Sequence, residues 1–210
     1  MIDSYKTIAS SATAQYVEKR SRFLAFAHHI ESEDEAKEIV AQLRKEYYDA
    51  RHVCYAYVLG HDAWTTEYDP VARGTAIMRA NDDGEPGGSA GKPILGQLRA
   101  REVTNTFVAV VRYFGGVKLG TGGLAVAYKT AAADALDGTT IEERLIMATF
   151  RIDVPYTEVD VTMRHIKDAG GEITGRDYTP TSTILEVTTR LTNEEAVKMQ
   201  VAKIHTVKFL

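Results

Sequence analysis

Three carboxylates, Asp82, Asp83 and Glu85, stand at the head of the segment NDDGEPGGSAGKPILGQL (81–98), where glycine and proline crowd together before the residues turn apolar. Acids this close can bind Mg²⁺ or act as acid and base. They can equally cap a helix and hold loop amides. A second glycine-rich segment, YFGGVKLGTGG (113–123), also precedes a helical pattern. Glycine lets backbone amides approach a ligand, and helix N-termini gather unpaired N–H groups with partial positive charge. If the two segments converge, Gly87, Gly88, Ser89, Gly116, Gly120, Gly122 and Gly123 offer an anion-binding surface. Arg79, Lys92, Arg112 and Lys118 would supply its charge, with Arg73 and Lys129 as further cations. Tyr113 and Phe114 are suited to stacking bases. The plainer alternative is tight turns around two helix starts, a core strand ending at Tyr113-Phe114, and solvated lysines. The acidic cluster would repel an anion unless a metal or a neighbouring cation offsets it.

Named nucleotide motifs do not fit. A P-loop needs Ser or Thr after Gly-Lys, and Gly91-Lys92 runs into Pro93. GTGGLA (120–125) satisfies G-x-G-x-x-[GA] in letters only. A dinucleotide fingerprint starts directly after its strand, and GGVKL intervenes. His52 and Cys54 lie two apart on a strand and share a face. That spacing admits a Cys–His nucleophile pair or a buried thiol beside a bonded histidine. With one cysteine and scattered histidines, zinc ligation has no support and an intramolecular disulfide is ruled out.

The elements that position these residues fall into two groups. Runs around Tyr16-Val17 and Phe23–Phe26 read as paired strands. Ser32 and Glu35 form a capping box for a helix carrying Ala36, Ile39, Val40, Leu43 and Tyr47. Residues 52–60 read as a buried strand, 75–79 as another, and Pro93 as the opening of a short helix. FVAVVRYF (107–114) reads as a central strand. An alanine-rich helix spans 124–136 and stops at Gly138. Beyond it the texture changes to βαββαβ, a ferredoxin-like order: strand 147–156, helix 157–169, strands 172–178 and 182–191, a helix after Asn193, and a final strand. The expected domains are 1–140 and 141–210. The 210-residue chain carries a net charge of −4, so any basic surface must be local. The N-terminus has no secretory h-region and no apolar run nears the roughly 18 residues that span a bilayer. With a lone thiol, this reads as a cytoplasmic protein.

DDGEPGGSAGKPILGQL together with VVRYFGGVKLGTGGLAVAY closely resembles the signature of the IMPACT family, in its bacterial, YigZ-like branch. KRSRFLAFA (19–27) and RHVCYAYVLG (51–60) agree with it, and Ser89 and Lys92 stand where Thr and Arg are frequent. The resemblance implies an α+β fold. Its first domain should be like the second domain of a small-subunit ribosomal protein, a β-α-β sandwich. Its second should be a small ferredoxin-like domain like the last domain of elongation factor G. It further implies a non-enzymatic regulator that binds RNA, the ribosome or a translation factor, with no membrane partner. A phosphate- or nucleotide-handling enzyme with a GHMP-like pocket and a protein-binding adaptor without RNA contact are the alternatives. The resemblance brings no catalytic residues and no cofactor; Mg²⁺ at the acidic cluster is the one candidate. Eukaryotic relatives restrain a translation-initiation kinase with a partner domain that this sequence lacks.

Overall fold

A computed structural model describes residues 3–61, 63, 64 and 76–210. Arg73 and the expected start of a strand at Thr75 lie outside them. The chain divides into two compact units, Tyr5–Arg144 and a second one that joins residues 3–4 to Leu145–Leu210. Both are mixed α+β with antiparallel sheets.

The first unit is built on five antiparallel strands. In sequence they are β2 (Ala12–Glu18), β3 (Ser21–His29), β4 (His52–Leu59), β5 (Ile77–Asn81) and β6 (Thr106–Tyr113), and in space they run β2-β3-β6-β4-β5. The β-branched run is the middle strand, buried from Thr106 to Arg112. Because side chains alternate across a strand, β6 supplies two cores at once. Val108 and Val110 face α2 (Gly91–Ala100) and α3 (Gly120–Asp137), alongside Phe23, Ala25, Cys54 and Ala56. Phe107, Ala109 and Val111 face α1 (Glu33–Glu46) on the other side, with Val53, Tyr57 and Leu43. The sheet is therefore a filling between helices. Two short strands, β1 (Ser4–Ile8), which buries Thr7 and Ile8, and the more exposed β7 (Ile141–Leu145), pair apart from it.

The helix starts differ from one another. Ser32 caps α1 as the capping box predicts, its hydroxyl accepting from Glu35 N at 3.2 Å while the Glu35 carboxylate accepts from Glu31 N. The helix with Pro93 begins two residues earlier, at Gly91. α3 begins at Gly120, so Gly120, Gly122 and Gly123 form its first turn and not a loop before it.

The second unit orders its elements β8 (Met147–Pro155), α4 (Val159–Asp168), β9 (Glu172–Tyr178), β10 (Ser182–Arg190), α5 (Glu194–Ala202) and β11 (Lys208–Phe209). Its sheet runs β11-β8-β10-β9, antiparallel throughout, over a core of Ile152, Val154, Ile166, Leu185, Val187, Val197 and Val201.

Candidate functional site

The three acids of the first glycine-rich segment each bind a different part of the fold. Asp82 turns onto the start of α2 and accepts from the amides of Gly88 (2.7 Å), Ala90 (2.9 Å) and Gly91 (2.8 Å). Burial alone would raise its carboxyl. The three amides, from Gly88, Gly91 and Ala90, together with Lys92 outweigh that and hold it below the ordinary carboxylate value. Asp83 accepts from Val53 N (2.6 Å) and from Arg44 (2.5 Å), tying β4 to α1. Glu85 reaches the far side of the sheet, where Arg112 Nη1 (2.5 Å) and the Tyr128 hydroxyl (2.8 Å) both donate to it. Among the described residues no three acids, histidines or cysteines are placed to share a metal.

This corrects the expected use of the first segment. Its helix N-terminus already holds an anion, the carboxylate of Asp82, and the Gly88 amide is taken. The amides of Glu85 and Ser89 are taken as well, by Asp82 O and Pro86 O. Gly91 is required by space: a Cβ there would lie 2.6 Å from the Asn81 backbone nitrogen.

The second segment is arranged otherwise. Lys19 and Arg20, both at positive φ, form the two-residue hairpin between β2 and β3. Ser21 Oγ accepts from Gly115 N at 3.1 Å, and a Cβ on Gly115 would fall 2.0 Å from the Arg20 carbonyl carbon. The KRSRF and YFGG motifs are thus one contact. From there the chain enters α3 through Gly120 at φ +72°, and among the described residues no side chain caps this helix.

Beside that start is a cavity of about 790 Å³. Its wall includes Arg112, Lys118, Gly120 and Thr121, with Glu85 and His52 across from the second segment. Phe23, Arg112 and His52 are cross-strand neighbours in register; Arg112 and His52 line the cavity and Phe23 packs in the core beside them. Arg112 is held between the rings of Phe23 (5.6 Å) and Phe114 (5.7 Å). Its side chain is only 8% exposed and that of Glu85 4%. Arg112 Nε is buried without a hydrogen-bond partner. His52 Nδ1 lies 2.8 Å from Asp83 O. A carbonyl can only accept, so Nδ1 carries the proton and Nε2 of the neutral ring is an acceptor. The hydrogen bond to Asp49, with burial behind it, pushes the Tyr113 phenol up to about 12, keeping it a donor.

The structure therefore divides the residues expected to act together. Glu85, Arg112, Lys118 and Gly120 share the cavity. Gly122 and Gly123 line an adjoining groove with Tyr16 and Val126. Gly87, Gly88, Ser89, Lys92 and Gly116 are not on the cavity wall. Arg79 pairs in register with Tyr57, whose ring is in the α1-side core, and lies 3.6 Å from Glu33. Cys54 and His52 do not form a nucleophile pair. The thiol donates to Asp82 O (3.0 Å) and Tyr128 OH (3.3 Å), and burial pushes it up to about 12. Arg51 and Thr121, inside quoted motifs but not singled out by them, join the wall, as does Asp49, which no motif announces.

The model of the Impact N-terminal domain matches residues 19–136. The IMPACT family member YvyE of Bacillus subtilis is 36% identical over 157 residues, 75% of this chain and 67% of its own. YigZ of Escherichia coli, of the same family, is 32% identical over 177 residues, 84% of this chain and 82% of its own. A crystal structure described as that of an hypothetical protein superposes with a TM-score of 0.70 at 29% identity, covering 100% of this chain and 98% of that one. With the hairpin, the pinned acids and both glycine segments all inside the matched region, the chain belongs to the IMPACT family.

Proposed function

We propose that this protein is a non-enzymatic regulator that binds RNA of the translation apparatus, through the face where α3 begins. One observation carries the reading. Arg51 and Lys118 stand at the cavity beside an uncapped helix start, and neither has a carboxylate partner among the described residues. Unspent cations next to unspent amides suit phosphate oxygens. The net charge of −4 does not oppose this, because the cationic face is local and the acids near it are engaged. The family resemblance supports the link with translation. The finer fold reading goes with it. The first unit is like the second domain of a small-subunit ribosomal protein. The second is ferredoxin-like, as its element order and strand sequence suggest, and like the last domain of elongation factor G. The corresponding domains are 1–140 and 141–210.

The test is co-sedimentation with ribosomes on a sucrose gradient, at low and high salt, with and without RNase. We expect salt-sensitive migration that RNase abolishes and that an Arg51→Ala/Lys118→Ala variant loses. Each phosphate contact removed should flatten the slope of log affinity against log salt by about 0.7. Association that survives RNase would assign the face to a protein partner. Migration at the top of the gradient in every condition would overturn the reading.

A further inference from the structure

We infer that the cavity at the start of α3 binds a nucleoside phosphate monoester, with its phosphate at the first turn of α3 and its base against Phe114. The inference rests on the reading that this face receives phosphate, and it specifies what enters. Three independent features point the same way.

The first is the pair of unmet donors. α1 is capped by Ser32 and the start of α2 by Asp82, whereas no side chain among the described residues caps α3. Arg112, 8% exposed, gives Nη1 to Glu85 and leaves Nε without a partner. Buried polar atoms are nearly always paired, so this unpaired donor leaves a side chain of the cavity wall with bonding capacity to spare.

The second is charge. Arg51, Arg112 and Lys118 face Asp49 and Glu85 across the wall. Glu85 is committed to Arg112 and Tyr128, and Asp49 accepts from Tyr113. That leaves a net of one positive charge on the lining, three cations against two carboxylates, to which the start of the helix adds its partial positive charge. A phosphate monoester, near −2 at neutral pH, matches that better than the single charge of an internal phosphodiester.

The third is size and lining. A volume of about 790 Å³ is far larger than one phosphate needs and lies in the range of sites for whole small molecules. Away from the cations its walls are apolar: Pro86, Leu119, Leu124 and the ring of Phe114. Phe114 is 56% exposed and lies over the Arg112 guanidinium, a flat platform open on one side. Such a surface takes a base.

A free mononucleotide and the 5′-phosphorylated end of an RNA present the same chemistry, and titration calorimetry separates them. The ligands are AMP, UMP, adenosine, inorganic phosphate, and a short oligoribonucleotide with either a 5′-phosphate or a 5′-hydroxyl. We expect both monophosphates to bind, with adenosine and phosphate each at least roughly tenfold weaker, since stacking and charge contribute separately. Phe114→Ala and Lys118→Ala, both at exposed positions, should each weaken AMP by roughly tenfold. If only free monophosphates bind tightly, the ligand is a metabolite. If the 5′-phosphorylated RNA binds at least as well and outcompetes its 5′-hydroxyl form, the ligand is an RNA end. If AMP and UMP bind no better than phosphate, the nucleoside assignment is overturned. If neither monophosphate binds while both RNAs do so equally, the pocket assignment fails and the RNA-binding face stands. If no ligand binds, both readings fall.

Discussion

The two glycine-rich segments of the first unit look alike in sequence and do opposite things. The first begins a helix and closes on itself: Asp82 occupies the helix start, and Gly91 permits the approach to Asn81. The second also begins a helix, but among the described residues no side-chain hydrogen bond to that start is seen. The difference is one carboxylate. Glycine content marks where backbone can come close; whether a ligand is wanted depends on whether a side chain of the same molecule has already taken the place. The acid next to the first segment therefore argues against a site there, while the lack of one beside Lys118 argues for one.

Several substitutions would break or sharpen this comparison. The largest effect should come from Glu85, which belongs to the first segment yet serves the second. Glu85→Ala leaves the Arg112 guanidinium buried without its counter-charge and should cost about 3–5 kcal/mol, read by urea unfolding. A loss under about 1 kcal/mol would mean that water already reaches the pair.

Asp82→Ala should cost about 2–3 kcal/mol, because three amides lose a charged acceptor together. The wild-type carboxyl is held below its ordinary value, so its contribution is complete above that value and fades as pH falls through the lowered one. The variant should therefore lose less stability on acidification than the wild type. If the two acid limbs coincide, Asp82 does not hold the segment.

Glycine replacements give an internal control. Gly115→Ala drives a Cβ into the Arg20 backbone and should cost about 1–3 kcal/mol or more. Gly87→Ala meets no atom within 4 Å and should change stability by less than about 0.5 kcal/mol. A large loss at Gly87 would show that the backbone there does not tolerate a side chain despite the open space.

Lys118→Ala should be the mildest for stability, also under about 0.5 kcal/mol, because its charge has no partner to lose. The effect belongs in ligand binding. Cys54 supplies a check on the interior. With its thiol pushed up to about 12, alkylation by iodoacetamide at pH 8 should be slow in the native protein and fast once urea unfolds it. Rapid native labelling would show that the core around Tyr128 opens readily.

Features that depend on neighbours in sequence were legible from the sequence. The Ser32–Glu35 cap is local, and so is the buried run of β6. The start of α3 was hidden because glycine has poor helix propensity, and tertiary packing overrides it across Gly120–Gly123. β1 and β7 are hard to read because each has only five residues, and β7 is polar and largely exposed besides. The cavity was only half visible. Arg112, Lys118, Gly120 and Glu85 are carried by motifs, whereas Arg79 was drawn in by charge alone. Its distance from the site follows from register with Tyr57, which no local pattern reveals. His52 was weighed as a partner for Cys54 because their spacing is evident; that Asp83 O fixes its ring is a long-range fact.

One feature of the second unit has a consequence in time. Residues 3–4 belong with Leu145–Leu210: Asp3 O accepts from Ile146 N at 2.8 Å, and its carboxylate meets Arg190 at 2.9 Å. On the ribosome Asp3 emerges long before Arg190. At ordinary elongation rates the gap is on the order of ten seconds or more. The whole of Tyr5–Arg144 can fold within that interval, with its N-terminal neighbours still waiting for their partners. Synthesis therefore imposes an order: the unit that carries the cavity is complete before the other one can close.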